Sequence, residues 1–430
     1  MKYFGTDGIR GKMKIDLSDS LLNKAAKAIV LYYKKHKLKN VLLVGNDTRS
    51  SSDYIIVKLC ATLLKNGIEI HNVGECSSPT LAYLTKKFNY PLGLMLSASH
   101  NPAEYNGLKF FNNYGEKTND EFEKNFEFLM DKKTQLPNNC FSQIKNVENL
   151  KEYYISHLKN HKKFKNSYIL DCANGGTSVI CKSVFPNIEK INFQPNGVNI
   201  NKNAGCTHLE MLKSLCIKKQ KIGFAFDGDG DRVHVVDKDG SIITGDQIIY
   251  ILSKFYLHCN DVCIGTIYTN TGLEKTLNSR NIKLLRSDVG DKNVCQLMKK
   301  ENSVLGGEDS GHILLKNFMN TGDGILNAII IANLLEQSKL SLKQLLADYK
   351  EFYQFRENIL IENKSFNLHE ILNNIELKTK INDFKKLGAK IIIRPSGTEP
   401  KLRLFVEHED KSKAQQILKD LFQIVSILMQ

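Results

Sequence analysis

Three aspartates alternate with glycines in Asp227-Gly-Asp-Gly-Asp-Arg232, directly after the apolar stretch Ile222–Phe226. Carboxylates at i, i+2 and i+4 let one tight loop wrap a hard cation in oxygen ligands, so Asp227, Asp229 and Asp231 read as a Mg²⁺ site. An EF-hand is excluded, because Arg232 stands at that motif's glycine position and Lys238 at its bidentate glutamate. The loop Ser97-Ala-Ser-His-Asn-Pro102 offers a hydroxyl at Ser99 and an imidazole at His100, with Lys109 ten residues beyond the serine. A hydroxyl nucleophile needs a base, a metal or a preorganised anion site; no Gly-x-Ser-x-Gly elbow is present, so a hydrolase of that type is not supported. Gly306-Gly-Glu-Asp-Ser-Gly-His312 can present Glu308, Ser310 and His312 to a polyol, its glycines letting backbone approach a ligand. Arg394-Pro-Ser-Gly-Thr-Glu-Pro-Lys-Leu-Arg403 gathers Arg394, Ser396, Thr398 and Arg403 about the N–H groups of the Gly397 turn, which makes an anion nest.

The distribution of charge points the same way. Of 60 basic residues only eight are Arg, and five of these lie in motif-like strings: Arg10, Arg49, Arg232, Arg394 and Arg403. In a lysine-rich chain an arginine marks a place that needs a planar fork, and forks suit phosphates and carboxylates. The ligand is therefore expected to be phosphorylated. The net charge of +14 is spread along the whole chain. A nucleic-acid binder concentrates its charge with interleaved aromatics, so no nucleic-acid partner is expected; a positive field would instead draw in anionic substrates. The ten cysteines include no Cys-x-x-Cys pair, which excludes zinc ribbons and dithiol redox motifs and predicts free, buried thiols.

These loops need elements to hold them. With 42% apolar and 25% charged residues over 430 positions, the chain is of ordinary globular composition, and its length suits roughly three domains, within two to four. Short apolar strands run repeatedly into polar, glycine-containing loops and then helix-like segments: Val41–Val44, Leu92–Leu96, Ile169-Leu170, Ile222–Phe226 and Val262–Tyr268. Strands alternating with helices predict α/β layers, with ligands at the strand ends. Helices are expected over Asp19–Lys35 and Gly322–Gln337, and Thr118 with Glu121 reads as a capping box ahead of Phe122. The last ~70 residues read as strand–helix–strand–strand–helix. Polar stretches set boundaries in Lys132–Asn149, near Ile248 and near Asn358, giving domains 1–145, 146–247, 248–358 and 359–430: three α/β domains with mixed sheets and a smaller α+β cap. Ile325–Leu335 is about half of the ~20 residues a membrane span needs, and the N-terminus lacks the apolar core of a secretory signal. A cytoplasmic chain without membrane attachment is expected.

Five strings in this order, Gly5-Thr-Asp-Gly-Ile-Arg-Gly11, Ser97–Pro102, Asp227–Arg232, Gly307–His312 and Arg394–Pro400, resemble the α-D-phosphohexomutases over residues 4 to about 407. The N-terminal string, Val289-Gly-Asp-Lys292 and Thr321-Gly-Asp-Gly324 are similar to the bacterial branch of that family that works on glucosamine phosphates. The resemblance implies four domains around a central cleft. It implies that Ser99 carries a phosphoryl group and joins Asp227, Asp229 and Asp231 in holding one Mg²⁺. Arg10, His100, Lys109, Arg232 and His312 would line the reacting end, with Lys109 or His312 as general acid or base and Lys109 favoured by its spacing from Ser99. Glu308 and Ser310 would grip sugar hydroxyls; Arg394, Ser396, Gly397, Thr398 and Arg403 would bind the distal phosphate. The implied reaction interconverts glucosamine-6-phosphate and glucosamine-1-phosphate, with glucosamine-1,6-bisphosphate as intermediate and activator, and feeds UDP-N-acetylglucosamine and cell-wall synthesis. The expected partner is this small hexosamine phosphate, the expected state a monomer or homodimer. Alternatives are a mannose- or glucose-phosphate mutase of the same family, an aspartyl-phosphate phosphatase using Asp227, and a non-catalytic sugar-phosphate sensor. Two departures are local: Asp309 stands where the family's glucosamine-phosphate branch commonly has Gln, and Lys292-Asn293 where it has Arg-Tyr. Asp309 would either favour the C2 ammonium of the sugar or mark drift toward another hexose phosphate.

Overall fold

The computed structural model describes residues 1–136, 140–361, 368–395 and 401–429, and there the strands form four sheets. The first holds β1 (Ile9–Lys12), β2 (Val41–Asn46), β3 (Glu69–Glu75), β4 (Leu92–Leu96), β5 (Tyr105–Asn112) and β6 (Ile144–Asn146) in the order β1-β5-β4-β2-β3-β6. β2 is apolar from Val41 to Gly45 and buried on both faces along its whole length, as a central parallel strand between helix layers must be. Leu42 and Val44 pack with the helices Asp19–Lys35, Ser51–Leu64 and Asp120–Asp131, while Val41 and Leu43 point the other way onto Ser78–Lys87. That is the two-residue alternation of a strand.

The second sheet holds β7 (Ile169–Asp171), β8 (Glu189–Ile191), β9 (Gly223–Phe226), β10 (Val233–Val236) and β11 (Ile242–Ile243), in the order β11-β10-β9-β7-β8. The third holds β12 (Val262–Thr266), β13 (Lys283–Ser287), β14 (Leu305–Gly307) and β15 (Ile313–Leu315), in the order β13-β12-β14-β15. All three sheets are mixed and reverse direction in the same way. A strand with a parallel neighbour turns back into an antiparallel partner at β4–β5, β9–β10 and β14–β15. The closing pairs are Leu96 with Leu108, Phe226 with Val233, and Gly307 with Ile313. The segments these hairpins carry are therefore 97–107, 227–232 and 308–312, the three loops singled out for chemistry.

The fourth sheet is antiparallel, β16 (Tyr353–Leu360), β17 (Lys390–Pro395) and β18 (Lys401–His408) in the order β16-β18-β17. Helix Lys411–Leu428 lays Ala414, Ile417, Leu421 and Val425 onto it. Two helices, Leu368–Asn373 and Ile375–Lys386, stand where one was expected.

Several sequence expectations need correction. The cap of Asp120–Asp131 is Asn119, whose side chain accepts from the Phe122 N–H, so Thr118 makes no capping box. The polar stretch 132–149 supplies β6, which pairs in parallel with β3. The boundary drawn at 145/146 thus cuts a strand. The one at 247/248 falls inside helix Gly245–Tyr256, which Thr244 and Gln247 cap reciprocally, and the one at 358/359 falls inside β16. In each case backbone pairing or capping outweighs the local polarity on which the boundary was drawn. The Ser99 loop runs into β5, a strand, as read for Leu108–Phe111, whereas a strand after the Asp227 loop replaces the helix-like segment of the expected repeat. Of the ten cysteines, all free, Cys140 and Cys259 are exposed.

The chain divides into two compact units, Met1–Tyr268 with Leu284–Ala347, and Thr269–Lys283 with Asp348–Gln430. Among the described residues no helix is long and apolar enough to cross a membrane.

Candidate active site

The first unit brings the three hairpin loops together. Ser99 has φ 52°, left-handed backbone that costs a residue with a Cβ about 1–2 kcal/mol. Its surroundings hold it there. Buried Arg49 donates through Nη2 to the carbonyls of Ser99 and Asn101, 2.8 Å each, and through Nη1 to that of Tyr105 at 2.8 Å and to that of Pro102. Asn201 Nδ2 reaches the same Ser99 and Asn101 carbonyls at 2.8 and 2.9 Å. Ser97 Oγ accepts from the Ser99 N–H at 2.9 Å and donates to Asp47 at 2.5 Å. The expectation that Arg49 marks a phosphate fork is therefore overturned, since its guanidinium is spent on backbone carbonyls and on Asp47, 2.9 Å from Nε.

So fixed, the Ser99 hydroxyl donates to Asp227 Oδ2 at 2.6 Å. Asp227 Oδ1 accepts from the N–H groups of Gly230 and Arg232 at 3.1 and 3.2 Å, which curls the metal-type loop. A Cβ on Gly228 would stand 2.6 Å from the Ser99 carbonyl oxygen, so only glycine lets the two loops touch. Asp229 Oδ2 takes Ser78 Oγ and Lys109 Nζ, both at 2.5 Å, and its carbonyl accepts the Ser78 N–H at 2.7 Å, at the start of helix Ser78–Lys87. Asp231 Oδ2 lies 3.0 Å from Lys117 Nζ and 3.7 Å from Lys109 Nζ, and Asp231 Oδ1 lies 2.8 Å from His312 Nε2. His312 Nδ1 is 3.3 Å from Glu308, whose other oxygen accepts the Gly290 N–H at 3.0 Å.

Burial, then Asp231 and Asp229, push Asp227 up to about 7. Burial opposes charge on His312, but Asp231 overrides it and lifts the imidazole to about 10. Burial and then Arg232 and Arg10 drive His100 down to about 3, leaving it neutral with Nδ1 3.4 Å from Ser99 Oγ. Arg10 pairs with Asp7, and Arg232 Nε lies 3.8 Å from Asp227. Ser310 offers its carbonyl to His234 Nε2 at 3.1 Å, and Asp309 its carbonyl to the Gly245 N–H at 3.1 Å.

Asp229 and Asp231 are both buried, and Asp229 Oδ1 accepts no hydrogen bond. With Asp227 they form a set whose ligand atoms lie within 4.8 Å of one another. An all-oxygen set with an unsatisfied acceptor fits a hard divalent cation.

Models of the phosphoglucomutase/phosphomannomutase family match residues 1–137 (α/β/α domain I), 244–352 (α/β/α domain III) and 357–424 (the C-terminal domain). Phosphoglucosamine mutases of Bacillus velezensis and Staphylococcus aureus are each 36% identical to the chain, covering 99% of it and 98% of their own length. The chain belongs to the α-D-phosphohexomutase family. The fold agrees. A phosphoglucomutase/phosphomannomutase family protein from Burkholderia thailandensis, 18% identical, has a TM-score of 0.79 over 99% of this chain and 97% of its own. N-acetylphosphoglucosamine mutase from Aspergillus fumigatus, solved with GlcNAc-6P and magnesium, is 16% identical, with a TM-score of 0.66 over 98% and 95% of the two chains.

Of the residues the phosphohexomutase resemblance marks, Ser99, His100, Lys109, Asp227, Asp229, Asp231, Arg232, Glu308 and His312 lie in this one network, and Arg10 joins it through Asp7. Arg394 and Arg403, in the second unit, face each other across β17 and β18. Like charges so placed repel unless a counter-charge is near. Ser396, Gly397 and Thr398 lie outside the described residues.

Sequence reasoning missed four members of the network. Asp7 lies 2.9 Å from Lys109 and 3.1 Å from Lys117, and Asp291 lies 2.7 Å from Lys117. Both aspartates sit within strings already singled out, Gly5–Gly11 and Val289–Lys292. Lys117 and Asn201 carry no local signal, one among 52 lysines and the other in an ordinary polar loop.

Proposed function

We propose that the chain interconverts glucosamine-6-phosphate and glucosamine-1-phosphate through a phosphorylated Ser99 and a 1,6-bisphosphate, in the cytoplasm, as a monomer or homodimer. The observation that carries this reading is the placement of the Ser99 hydroxyl on a three-aspartate loop inside a buried, charge-balanced network, in a chain whose full-length relatives are phosphoglucosamine mutases.

Asp227, Asp229 and Asp231, with an oxygen of the phosphorylated Ser99, would hold Mg²⁺, which when bound supplies positive charge to the phosphoryl oxygens. The rest is positioning, as phosphoryl transfer requires. The strained Ser99 loop presents Oγ in a fixed direction. Arg10 and Arg232 place guanidinium charge at the reacting end. Lys109 or His312 handles the proton of the sugar hydroxyl, each already oriented by a carboxylate. Glu308 and Ser310 would take the sugar hydroxyls, while Arg394, Ser396, Gly397, Thr398 and Arg403 would take the phosphate that is not reacting. Glucosamine-1,6-bisphosphate would start the cycle by phosphorylating Ser99.

A coupled assay with glucosamine-6-phosphate, Mg²⁺ and a trace of the 1,6-bisphosphate, run beside mannose and glucose phosphates, tests this. Glucosamine-1-phosphate should form in preference and be lost in Ser99→Ala. Turnover that survives in Ser99→Ala would sink the phosphoserine route. Asp309→Gln should raise KM for glucosamine phosphate with little change for glucose phosphate; equal effects on both would remove Asp309 from substrate choice.

A further inference from the structure

Lys117 is the least expected member of the network. Its backbone is pinned by the bridge to Phe111 and by the Thr118 N–H donating to the Phe110 carbonyl at 3.1 Å. Its side chain is 7% exposed, and its ammonium meets three carboxylates from three separate elements: Asp7 at 3.1 Å, Asp231 at 3.0 Å and Asp291 at 2.7 Å. An ammonium has three donors and no acceptor, so this cage satisfies it completely. Lys109 cannot stand in for it, being engaged by Asp229 at 2.5 Å and Asp7 at 2.9 Å.

Two of those carboxylates belong to a second ligand set. Asp231, Asp291 and His312 offer atoms within 4.8 Å of one another, and the three residues are 1%, 4% and 4% exposed. His312 Nε2 already pairs with Asp231 Oδ1 at 2.8 Å, and His312 Nδ1 lies 3.3 Å from Glu308. One imidazole nitrogen with two carboxylates suits Mn²⁺ or Zn²⁺. This set shares only Asp231 with the Asp227–Asp229–Asp231 loop, so a second ion there would compete for the carboxylate the loop needs and would break the His312–Asp231 pair.

We propose that Lys117 is the resident cation of this second cage. It neutralises Asp231 and Asp291, keeps a second divalent ion out, and so leaves Asp231 to the three-aspartate loop and its pair with His312 intact. The inference rests on the metal reading of that loop. Replacing Lys117 with an uncharged side chain takes one positive charge from Asp7, Asp231 and Asp291. Arg10, Lys109 and His312 still serve Asp7 and Asp231, but Asp291 loses its ammonium, a deficit that a divalent ion relieves.

Mn²⁺ binding to the full chain, followed by electron paramagnetic resonance of the free ion, tests this. The wild type should take up one ion and Lys117→Met two, with the second lost in Lys117→Met/Asp291→Asn. Uptake of a single ion by folded Lys117→Met would overturn the proposal. A wild type that binds no Mn²⁺ overturns the metal reading, and the proposal with it. Should Lys117→Met fail to fold, Asp291→Asn alone decides. The ammonium then has one carboxylate fewer and sits harder on Asp231, so affinity for the first ion should fall roughly three- to tenfold. Unchanged affinity overturns the proposal.

Discussion

Ser99 sits in a backbone conformation it would not choose, and the groups that impose it come from far along the chain. Arg49 is the chief of these, because one guanidinium bonds four carbonyls of the loop. Arg49→Lys keeps the charge that Asp47 needs but cannot reach those acceptors. We expect it to cost about 3–5 kcal/mol, the range for breaking a buried charged network, with turnover falling more steeply than KM changes. Urea denaturation and the coupled assay would check both, and a loss under about 1 kcal/mol, within the range of an ordinary surface substitution, would show that Asn201 and Ser97 hold the loop without it. The same residue shows where sequence reading fails. Arginine rarity singled Arg49 out correctly, but rarity reports the need for a planar fork and not what the fork binds. Lys117 shows the converse, since a buried lysine surrounded by carboxylates has the same letter as the 51 others.

Helices and strands were legible where one physical signal was strong. Asp19–Lys35 is legible with the bounds it has, because its apolar positions keep helical spacing; the structure adds Ser18 as its cap. The capping site of Asp120–Asp131 and the edge strand β6 are not, because adjacent Thr118 and Asn119 are both good caps, and because the short, exposed Ile144–Asn146 is held by backbone pairing and a Lys145–Glu69 ion pair and not by apolar burial. Gly228→Ala tests the contact between the first two hairpins. Its Cβ would stand 2.6 Å from the Ser99 carbonyl, so activity should fall at least as far as in Arg49→Lys while the circular dichroism spectrum stays unchanged; wild-type turnover would show that the loops can part. Helix Lys151–His161 carries a different prediction. Burial, then His161 and Lys87, lower His157 to about 4, and its ring lies 4.8 Å from that of Tyr83 and 4.7 Å from that of His161. A histidine lowered in the folded state binds its proton more readily when unfolded. Its contribution is therefore fully present above the unfolded value of about 6.5 and lost as pH falls from there toward 4. The drop in urea midpoint between pH 7.5 and pH 5 should be smaller in His157→Phe than in the wild type; equal drops would assign the acid sensitivity elsewhere.

Over the whole molecule, two units with separate cores imply separate stabilities. Leu421 is fully buried in the core of the second unit. Leu421→Ala should cost that unit about 2–5 kcal/mol and raise hydrogen exchange across β16–β18 while β2 and β4 keep their protection; loss of protection in both units alike would mean that they unfold as one. The general architecture was readable because apolar strands recur along the chain, whereas the meeting of Asp7, Lys117, Asp231 and Asp291 was not, since it depends on how elements far apart in sequence pack. The recurrence also has a historical side. Three sheets each contain a hairpin whose strands pair in their own register, and each hairpin carries one set of chemical groups. A duplicated ancestral unit would leave this pattern, with each copy afterwards free to specialise. Residues 308–312 could then be exchanged for those of another lineage without retraining the sheet beneath them, which makes a change of sugar a short evolutionary walk and a change of phosphoryl carrier a long one.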